Sequence, residues 1–247
     1  MLPYLIFNLF VAHIVADFYL QTDKSCVKKA EKALKGWVLY KHALWVLVLT
    51  WLVVFDWNGW WLAAIVAGSH LVIDAVKPYV QKRCGANNEP WVFIVDQMLH
   101  LGVLGGAGYL WLQYNSWLEF GWLMACSPKY VLLATALVLA HKPSNILLNL
   151  IIKYYEVPVP NDDVEDDSEP HGAFHSGALI GTLERVLMIV LIVMSQYEAI
   201  GFLIAAKSIL RFSSVNESEK SEYVVAGTFI SFCIALALGL TVVKIGK

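Results

Sequence analysis

Charged residues and known catalytic signatures are both scarce in this chain of 247 residues. Asp, Glu, Lys and Arg together make up 15% of it, against about 25% in an average soluble domain. The sequence has no phosphate-binding glycine loop, no dinucleotide-binding glycine signature, no Gly-x-Ser-x-Gly and no His-Glu-x-x-His. These absences exclude nucleotide-driven pumps and the common plans of soluble hydrolases. The 4 cysteines lack the spacing of a disulfide framework or a zinc ribbon.

Apolar residues, in contrast, are abundant and continuous. They make up 58% of the chain, which includes 10 tryptophans and has a mean hydropathy of +0.60. Runs that approach the length of a bilayer predict membrane spans at about 3–21, 41–56, 59–77, 91–114, 129–152, 177–196, 198–212 and 222–243. We therefore expect an all-α, polytopic transmembrane helix bundle of seven to eight spans, with the whole chain, 1–247, as a single transmembrane domain.

The distribution of basic residues predicts the orientation of this bundle. Lysines crowd the first connection, and Lys77, Lys82 and Arg83 mark the third, whereas the connection around Trp57 has almost none. By the positive-inside rule, the N-terminus lies outside and the odd-numbered connections lie in the cytoplasm. We expect a multi-pass protein of a bacterial inner (cytoplasmic) membrane.

Two connections have a composition of their own. In the stretch 24–40, apolar residues recur at helical spacing between lysines, which predicts an amphipathic helix in the inner headgroup layer. A solvated basic loop is the alternative. Prolines and a run of acidic residues in 157–176 predict an acidic cytoplasmic loop. We expect the helices of 1–115 to carry a polar site and those of 129–247 to support it and to bind an anion.

The most informative pattern is a histidine and an aspartate four residues apart on three predicted spans. That spacing stacks both side chains on one helix face. The order reverses in the third pair, and because this span runs in the opposite direction, like residues reach like depths in the bilayer. Counted from the cytoplasmic ends of the spans at 1.5 Å per residue, the imidazoles lie roughly 10–14 Å inside the bilayer and the carboxylates roughly 5–9 Å inside it. The pairs are His13 and Asp17, His70 and Asp74, and Asp96 and His100.

These six residues are candidate metal ligands. Isolated charges at such depth cost about 2.5–3.5 kcal/mol each, so the carboxylates should face inward against cations. Imidazole and carboxylate together suit Zn, Mn or Fe, either as one ion or as two ions that share a carboxylate. The alternative is a set of His–Asp hydrogen bonds that only fix helix packing.

Other polar residues are candidates for catalysis and for substrate binding. His42, at the start of the second span, and Glu184 could act as general base or acid. Cationic side chains could hold an anionic headgroup, while snorkelling and a structural pair of Glu184 with Arg185 or Lys207 remain the alternative. The candidate substrate-binding residues are Arg185, Lys207, Arg211, Lys77 and Gln21.

Several of these motifs together resemble a bacterial integral-membrane family catalogued as a domain of unknown function, over nearly the whole chain. The motifs are His13-x-x-Ala-Asp17-Phe18-x-x-Gln21, His70-x-x-x-Asp74-x-x-Lys77, Asp96-Gln97-x-x-His100, Gly181-x-Leu-Glu184-Arg185 and Lys207-Ser-x-x-Arg211-Phe212. More distantly, the placement of His and Asp on early helices is similar to that in predicted membrane-bound metal-dependent hydrolases of the LexA-regulated type.

Three functions compete for these residues. The first is a membrane-embedded, metal-dependent hydrolase that acts at the cytoplasmic leaflet on a lipid-linked phosphate or ester. The second is a divalent-cation or proton-coupled transporter or channel, which the nearly apolar outer halves of the spans disfavour. The third is a non-catalytic membrane scaffold or sensor. The expected partner is a membrane lipid or lipid-linked substrate, nucleic acid is not expected, and homo-oligomerisation stays open.

Overall fold

The computed structural model describes residues 2–22, 25–26, 28–29, 36–54, 57–85, 88–114, 128–155, 157, 172–212 and 218–246. Within these residues the secondary structure is entirely helical, so the prediction of an all-helical chain is confirmed. Residues 24, 27 and 30–35 of the predicted amphipathic stretch and residues 158–171 of the predicted acidic loop lie outside the described residues. The chain divides into two compact units, Met1–Ala125 and Cys126–Lys247.

The first unit contains four helices that pack in a cycle. Helix α1 packs on α2 and α4, and α3 also packs on both α2 and α4. The inner faces therefore meet around one axis, filled at one end by apolar side chains that include Leu5, Leu62 and Trp111. The elements are α1 (Leu2–Ile14), which continues as a π-helical turn (Val15–Leu20), α2 (Trp37–Val54), a 3-10 turn (Trp57–Gly59), α3 (Trp60–Cys84) and α4 (Glu89–Tyr114).

Glycines allow both tight connections of this unit. A Cβ on Gly59 would lie 2.8 Å from Cγ1 of Val54, so only glycine lets the chain turn this closely from α2 into α3. At the end of α3, Gly85 has a φ of 79° and donates its N–H to the carbonyl of Gln81, as is common where helices end. The short connections keep successive helices antiparallel.

The second unit is organised around its last helix, α9 (Ser218–Ile245), which packs on α5, α6 and α7. A Cβ on Gly239 would lie 2.8 Å from Cδ1 of Ile192, so this glycine permits the close approach of α9 to α7. The other helices are α5 (Pro128–Leu139), α6 (Lys142–Tyr154), α7 (Gly172–Val193) and α8 (Tyr197–Phe212).

A break divides the predicted fifth span. Helices α5 and α6 meet at Ala140 and His141 with a bend of 45°. Pro143 has no backbone N–H to donate and stands in the first turn of α6, a position where proline is tolerated. The bend therefore lies just before this proline.

Among the described residues, four helical segments are long and apolar enough to cross a membrane: Trp37–Val54, Trp57–Cys84, Glu89–Tyr114 and Val225–Ile245. A fifth is added if the bent pair α5 and α6 forms one span. These helices are compatible with a multi-pass membrane protein. The expected seven to eight spans are not supported by this count. One reason is that Leu5–Leu20, although apolar, is shorter than the roughly 20 residues that a straight span needs.

Candidate metal centre

Seven buried side chains converge from all four helices of the first unit. We call them the His/Asp cluster: His13, Asp17, His42, His70, Asp74, Asp96 and His100. The four histidines and two of the aspartates are at most 5% exposed, and the side chain of Asp17 is 11% exposed. The closest imidazole centroids, those of His70 and His100, are 4.2 Å apart. The three predicted pairs therefore meet, with His42 among them.

The local helix geometry explains how the pairs enter the cluster. His70 and Asp74 on α3, like Asp96 and His100 on α4, share a face through the four-residue spacing of an α-helix. Asp17 instead lies on the π-helical turn that follows α1, an irregularity frequent at functional sites. Its Oδ1 is 3.8 Å from Nδ1 of His13. The wider turn rotates this carboxylate relative to an uninterrupted α-helix.

Four atoms of the cluster form a compact group that we call the inner ligand set: Nε2 of His42 and His70, Oδ1 of Asp17 and Oδ2 of Asp74. The two nitrogens are 2.9 Å apart. Oδ1 of Asp17 lies 3.2 Å from the His42 nitrogen and 3.3 Å from that of His70. Oδ2 of Asp74 lies 3.6 and 3.5 Å from the same two nitrogens. Ligand bonds of 2.0–2.1 Å in a tetrahedron imply ligand separations of about 3.3 Å. The five separations between these atoms are close to that length.

Two lysines contact carboxylates of the cluster. Nζ of Lys29 donates to Oδ2 of Asp74 at 2.7 Å, and this lysine is 9% exposed. Nζ of Lys77 donates to Oδ2 of Asp96, also at 2.7 Å, and its side chain is 26% exposed. The cluster therefore has two ammonium counter-ions against three carboxylates.

A chain of hydrogen bonds links His13 to Asp96 through Gln97. Nε2 of His13 donates to Oε1 of Gln97 at 3.3 Å, and Nε2 of Gln97 donates to Oδ2 of Asp96 at 3.1 Å. These bonds place the proton of His13 on Nε2 and leave Nδ1 free to accept. Such outer partners fix the orientation and tautomer of imidazoles in metal sites.

His100 is oriented by the backbone. Its Nδ1 donates to the carbonyl oxygen of Asp96 at 2.8 Å, so a neutral ring carries its lone pair on Nε2. That atom is buried and has no hydrogen-bond partner among the described residues, and the same holds for Oδ1 of Asp17, Oδ1 of Asp96 and Nε2 of Gln21. The contacts of Asp17 with His42 and His70 lack the alignment of hydrogen bonds. Leaving such a group unsatisfied costs about 1–3 kcal/mol.

The cluster contains three overlapping sets of side chains in which the possible ligand atoms lie within 4.8 Å of one another. They are His13 with Asp17 and His70, His42 with His70 and Asp74, and Asp74 with Asp96 and His100. Since His70 and Asp74 each belong to two sets, one ion or two adjacent ions would fit this arrangement. Nitrogen and oxygen ligands in this mixture suit Zn, Mn or Fe.

The polar residues of the second unit have different surroundings. Arg185 is 1% exposed and donates from Nε to the carbonyl of Ala140 at 2.7 Å, from Nη1 to Ser231 at 3.0 Å and from Nη2 to Thr182 at 3.3 Å. Nη2 also donates to Oδ1 of Asn145. These four bonds satisfy the carbonyl at the helix break and use most of the guanidinium donors.

Glu184 and Lys207, predicted as a catalytic and a substrate-binding residue, form an ion pair with each other. Both side chains are about one-fifth exposed, at 19% and 20%. The side chain of Arg211 lies outside the described residues. Roles for Glu184, Arg185, Lys207 and Arg211 in substrate chemistry stay predictions.

Three features of the site were not predicted from the sequence. His42 was assigned to catalysis, whereas its Nε2 belongs to the inner ligand set. Lys29 was one lysine of a basic stretch, and only the unbalanced charge of Asp74 could have indicated that one of those lysines turns inward. The third feature is the surroundings of two residues predicted to bind substrate: Lys77 forms an ion pair with Asp96, and Gln21 is buried, with 9% of it exposed.

The fold and the cluster define a class: an all-helical chain with several apolar spans, one unit of which encloses a buried group of histidines and aspartates. A family model described as "Protein of unknown function (DUF3307)" matches residues 5–133, more than half of the chain. The chain therefore belongs to the DUF3307 family. The matched region contains the whole His/Asp cluster and ends before the motif of Glu184 and Arg185. No curated protein and no solved structure matches the chain.

Proposed function

We propose that this protein is a membrane-embedded, metal-dependent hydrolase that acts at the cytoplasmic leaflet on a lipid-linked phosphate or ester. The observation that carries the proposal is the inner ligand set, in which two imidazole nitrogens and two carboxylate oxygens lie 2.9–3.6 Å apart along five edges. Oδ1 of Asp17, one atom of this set, is buried without a hydrogen-bond partner among the described residues, and a bound divalent ion would be that partner.

The proposed centre holds at least one Zn, Mn or Fe ion between His42, His70, Asp17 and Asp74. Asp96 and His100 lie beside it, and a second ion could share Asp74 with them. Catalytic ions keep a position open for water, so an ion in this centre would take water as a fifth ligand, lower its pKa to about 7 and polarise the scissile bond of a substrate.

His100 is the proposed general base. Its Nδ1–H is held by the carbonyl of Asp96, so Nε2 carries the lone pair that can accept a proton from water. This assignment replaces that of His42, which we place on the ion because its Nε2 is 2.9 Å from that of His70. Glu184 has no part in the proposed centre.

Access from the membrane interface is the remaining part of the proposal. The side chain of Lys77, in contact with Asp96, is 26% exposed, and the predicted orientation places this end of α3 at the cytoplasmic surface. We propose that the protein lies in a bacterial inner membrane with its N-terminus outside and seven to eight spans. The positive-inside distribution of lysines and the looser likeness to LexA-regulated membrane hydrolases support this view.

Hydrolysis of detergent-solubilised lipid phosphates and esters tests the proposal. We expect turnover by protein loaded with Zn²⁺, Mn²⁺ or Fe²⁺, its loss on chelation, and a fall of about 10²–10⁴-fold in His100→Gln at unchanged metal content. Lys82→Gln, an exposed change on α3, is the control. Metal uptake into proteoliposomes that depends on His13 and Asp96, without hydrolysis, would replace the hydrolase by a transporter.

A further inference from the structure

Lys29 and Lys77, the two lysines that contact the His/Asp cluster, carry positive charges that would repel a metal ion bound there. Nζ of Lys29 is 2.7 Å from Oδ2 of Asp74, the same oxygen that belongs to the inner ligand set. Lys77 has the corresponding contact with Asp96. An ion that takes either carboxylate as a ligand must share it with an ammonium group, because both lysines are anchored within hydrogen-bond distance. The metal-loaded site therefore contains adjacent cations.

The charge balance changes sign when a divalent ion binds. Three carboxylates and two ammonium groups leave one net negative charge if the imidazoles are neutral, and a divalent ion turns this into one net positive charge. Uncompensated charge is costly in a buried site. A bound anion would restore the balance, while a neutral ester would not.

A third donor, Gln21, is unsatisfied. It follows Asp17 by four residues, is 9% exposed, and its amide Nε2 has no acceptor among the described residues. A buried amide N–H without an acceptor costs free energy, and an oxygen of a bound ligand would be the acceptor that no described residue provides. Carboxylates of the cluster accept from Lys29, Lys77 and Gln97 instead.

We propose that the metal-loaded site binds a phosphate group, with Lys29, Lys77 and the amide of Gln21 as donors to its oxygens. This inference rests on the proposed function and narrows its substrate class from phosphate or ester to phosphate. A tetrahedral oxyanion offers enough oxygens to contact an ion and several donors at once, and charge-assisted hydrogen bonds are the strongest available to it.

Replacing Lys29 should have different effects on the affinity for Mn²⁺ and on the affinity for phosphate. In Lys29→Gln the ammonium no longer repels the ion, so Mn²⁺ should bind as tightly as in the wild type or more tightly, while phosphate binding to the Mn²⁺-loaded protein should weaken about tenfold or more. Lys77→Gln and Gln21→Leu should weaken phosphate binding in the same sense, with the smaller effect in Gln21→Leu because a neutral donor is lost. A lysine that only stabilised the fold would weaken the binding of both ligands.

The experiment measures broadening of the ³¹P signal of inorganic phosphate by protein-bound Mn²⁺ after free Mn²⁺ has been removed. Lys28→Gln and Lys82→Gln replace exposed lysines and should behave like the wild type. Broadening that is saturable and reduced in Lys29→Gln and Lys77→Gln supports the inference. Stoichiometric Mn²⁺ without broadening, or broadening unchanged in both variants, overturns it and leaves the metal centre standing. A wild type that binds none of Mn²⁺, Zn²⁺ and Fe²⁺ overturns the proposed function itself.

Competition identifies the source of the phosphate. Protein in nanodiscs of phosphatidylcholine is compared with protein in nanodiscs that also contain phosphatidic acid. Reduced broadening of inorganic phosphate in the second sample indicates a lipid headgroup as ligand, and equal broadening indicates free phosphate. Either result supports a phosphate site, provided that the lysine variants bind phosphate more weakly than the wild type.

Discussion

Arg185 in the second unit and the four imidazoles of the first are almost equally buried, between 1% and 5% exposed, yet their partners differ. The guanidinium is surrounded by four protein oxygens that accept its protons. The imidazoles instead face carboxylates and one another, and several atoms in this cluster have no hydrogen-bond partner within the described part of the chain.

The difference separates a structural polar network from a candidate binding site. Burial alone marks both, since any charged group inside a helix bundle must be paired. What distinguishes the first unit is the convergence of ligand-type atoms, several of which no described residue satisfies. A polar network that is complete stabilises the fold, and one that is incomplete indicates a missing ligand.

Replacing Arg185 should have the largest effect on stability. Arg185→Met leaves the carbonyl of Ala140 and the side chains of Asn145 and Ser231 without their donor, so we expect the free energy of unfolding to fall by about 4 kcal/mol. Thermal unfolding in detergent measures this, with the exposed change Lys153→Gln on α6 as control. An Arg185→Met protein as stable as the wild type would show that the network is not structural.

A change in the His/Asp cluster should lower metal affinity without lowering the stability of the metal-free protein. Asp17→Asn removes a buried charge whose Oδ1 lacks a hydrogen bond, so the metal-free protein should be as stable as the wild type or more stable by about 1 kcal/mol. Metal affinity should fall about a hundredfold or more, since a ligand is lost. Unfolding of chelator-treated samples and metal titration measure the two effects. A destabilised apo protein with unchanged metal affinity would contradict the comparison.

Gln97 tests the outer part of the cluster. Gln97→Leu breaks the chain from His13 to Asp96 but removes no ligand, so we expect metal affinity to fall about 10–100-fold. Competition with a chromophoric chelator measures this, and Gln97→Glu, which can still accept from His13, should retain more of the affinity. Equal affinity in wild type and Gln97→Leu would show that the chain does not orient His13.

The smallest effect is expected at Thr182, which accepts from Arg185 at 3.3 Å. Thr182→Val keeps the shape of the side chain and removes one of four acceptors, so the free energy of unfolding should fall by about 1 kcal/mol. The double variant Arg185→Met/Thr182→Val should lose no more than Arg185→Met alone, because the bond is already absent. Additive losses would mean that Thr182 stabilises the fold through another contact.

The sequence predicted the helical class and the three His–Asp pairs because both follow from local periodicity. Hydrophobic runs determine where helices form, and the four-residue spacing determines which side chains share a face. The order of Asp96 before His100 on α4 was informative, because antiparallel neighbouring helices bring residues of opposite sequence order to the same depth in the bilayer.

Features that depend on packing between elements were not predictable. The inward turn of Lys29, the place of His42 in the inner ligand set and three of the four partners of Arg185 depend on contacts between residues 28 to 46 positions apart. The π-helical turn at Asp17 has no local sequence signature, since Val15–Leu20 contains neither glycine nor proline. The number of membrane spans depends also on the final length of each helix, which apolarity alone does not determine.

Elemental analysis of purified protein in detergent tests the metal centre most directly. The account predicts at least one equivalent of Zn, Mn or Fe per folded wild-type chain and per Lys82→Gln chain, and its loss in His70→Ala and Asp74→Asn, which remain folded by thermal unfolding. A folded wild type that stays free of metal after incubation with Zn²⁺, Mn²⁺ and Fe²⁺ would contradict the account.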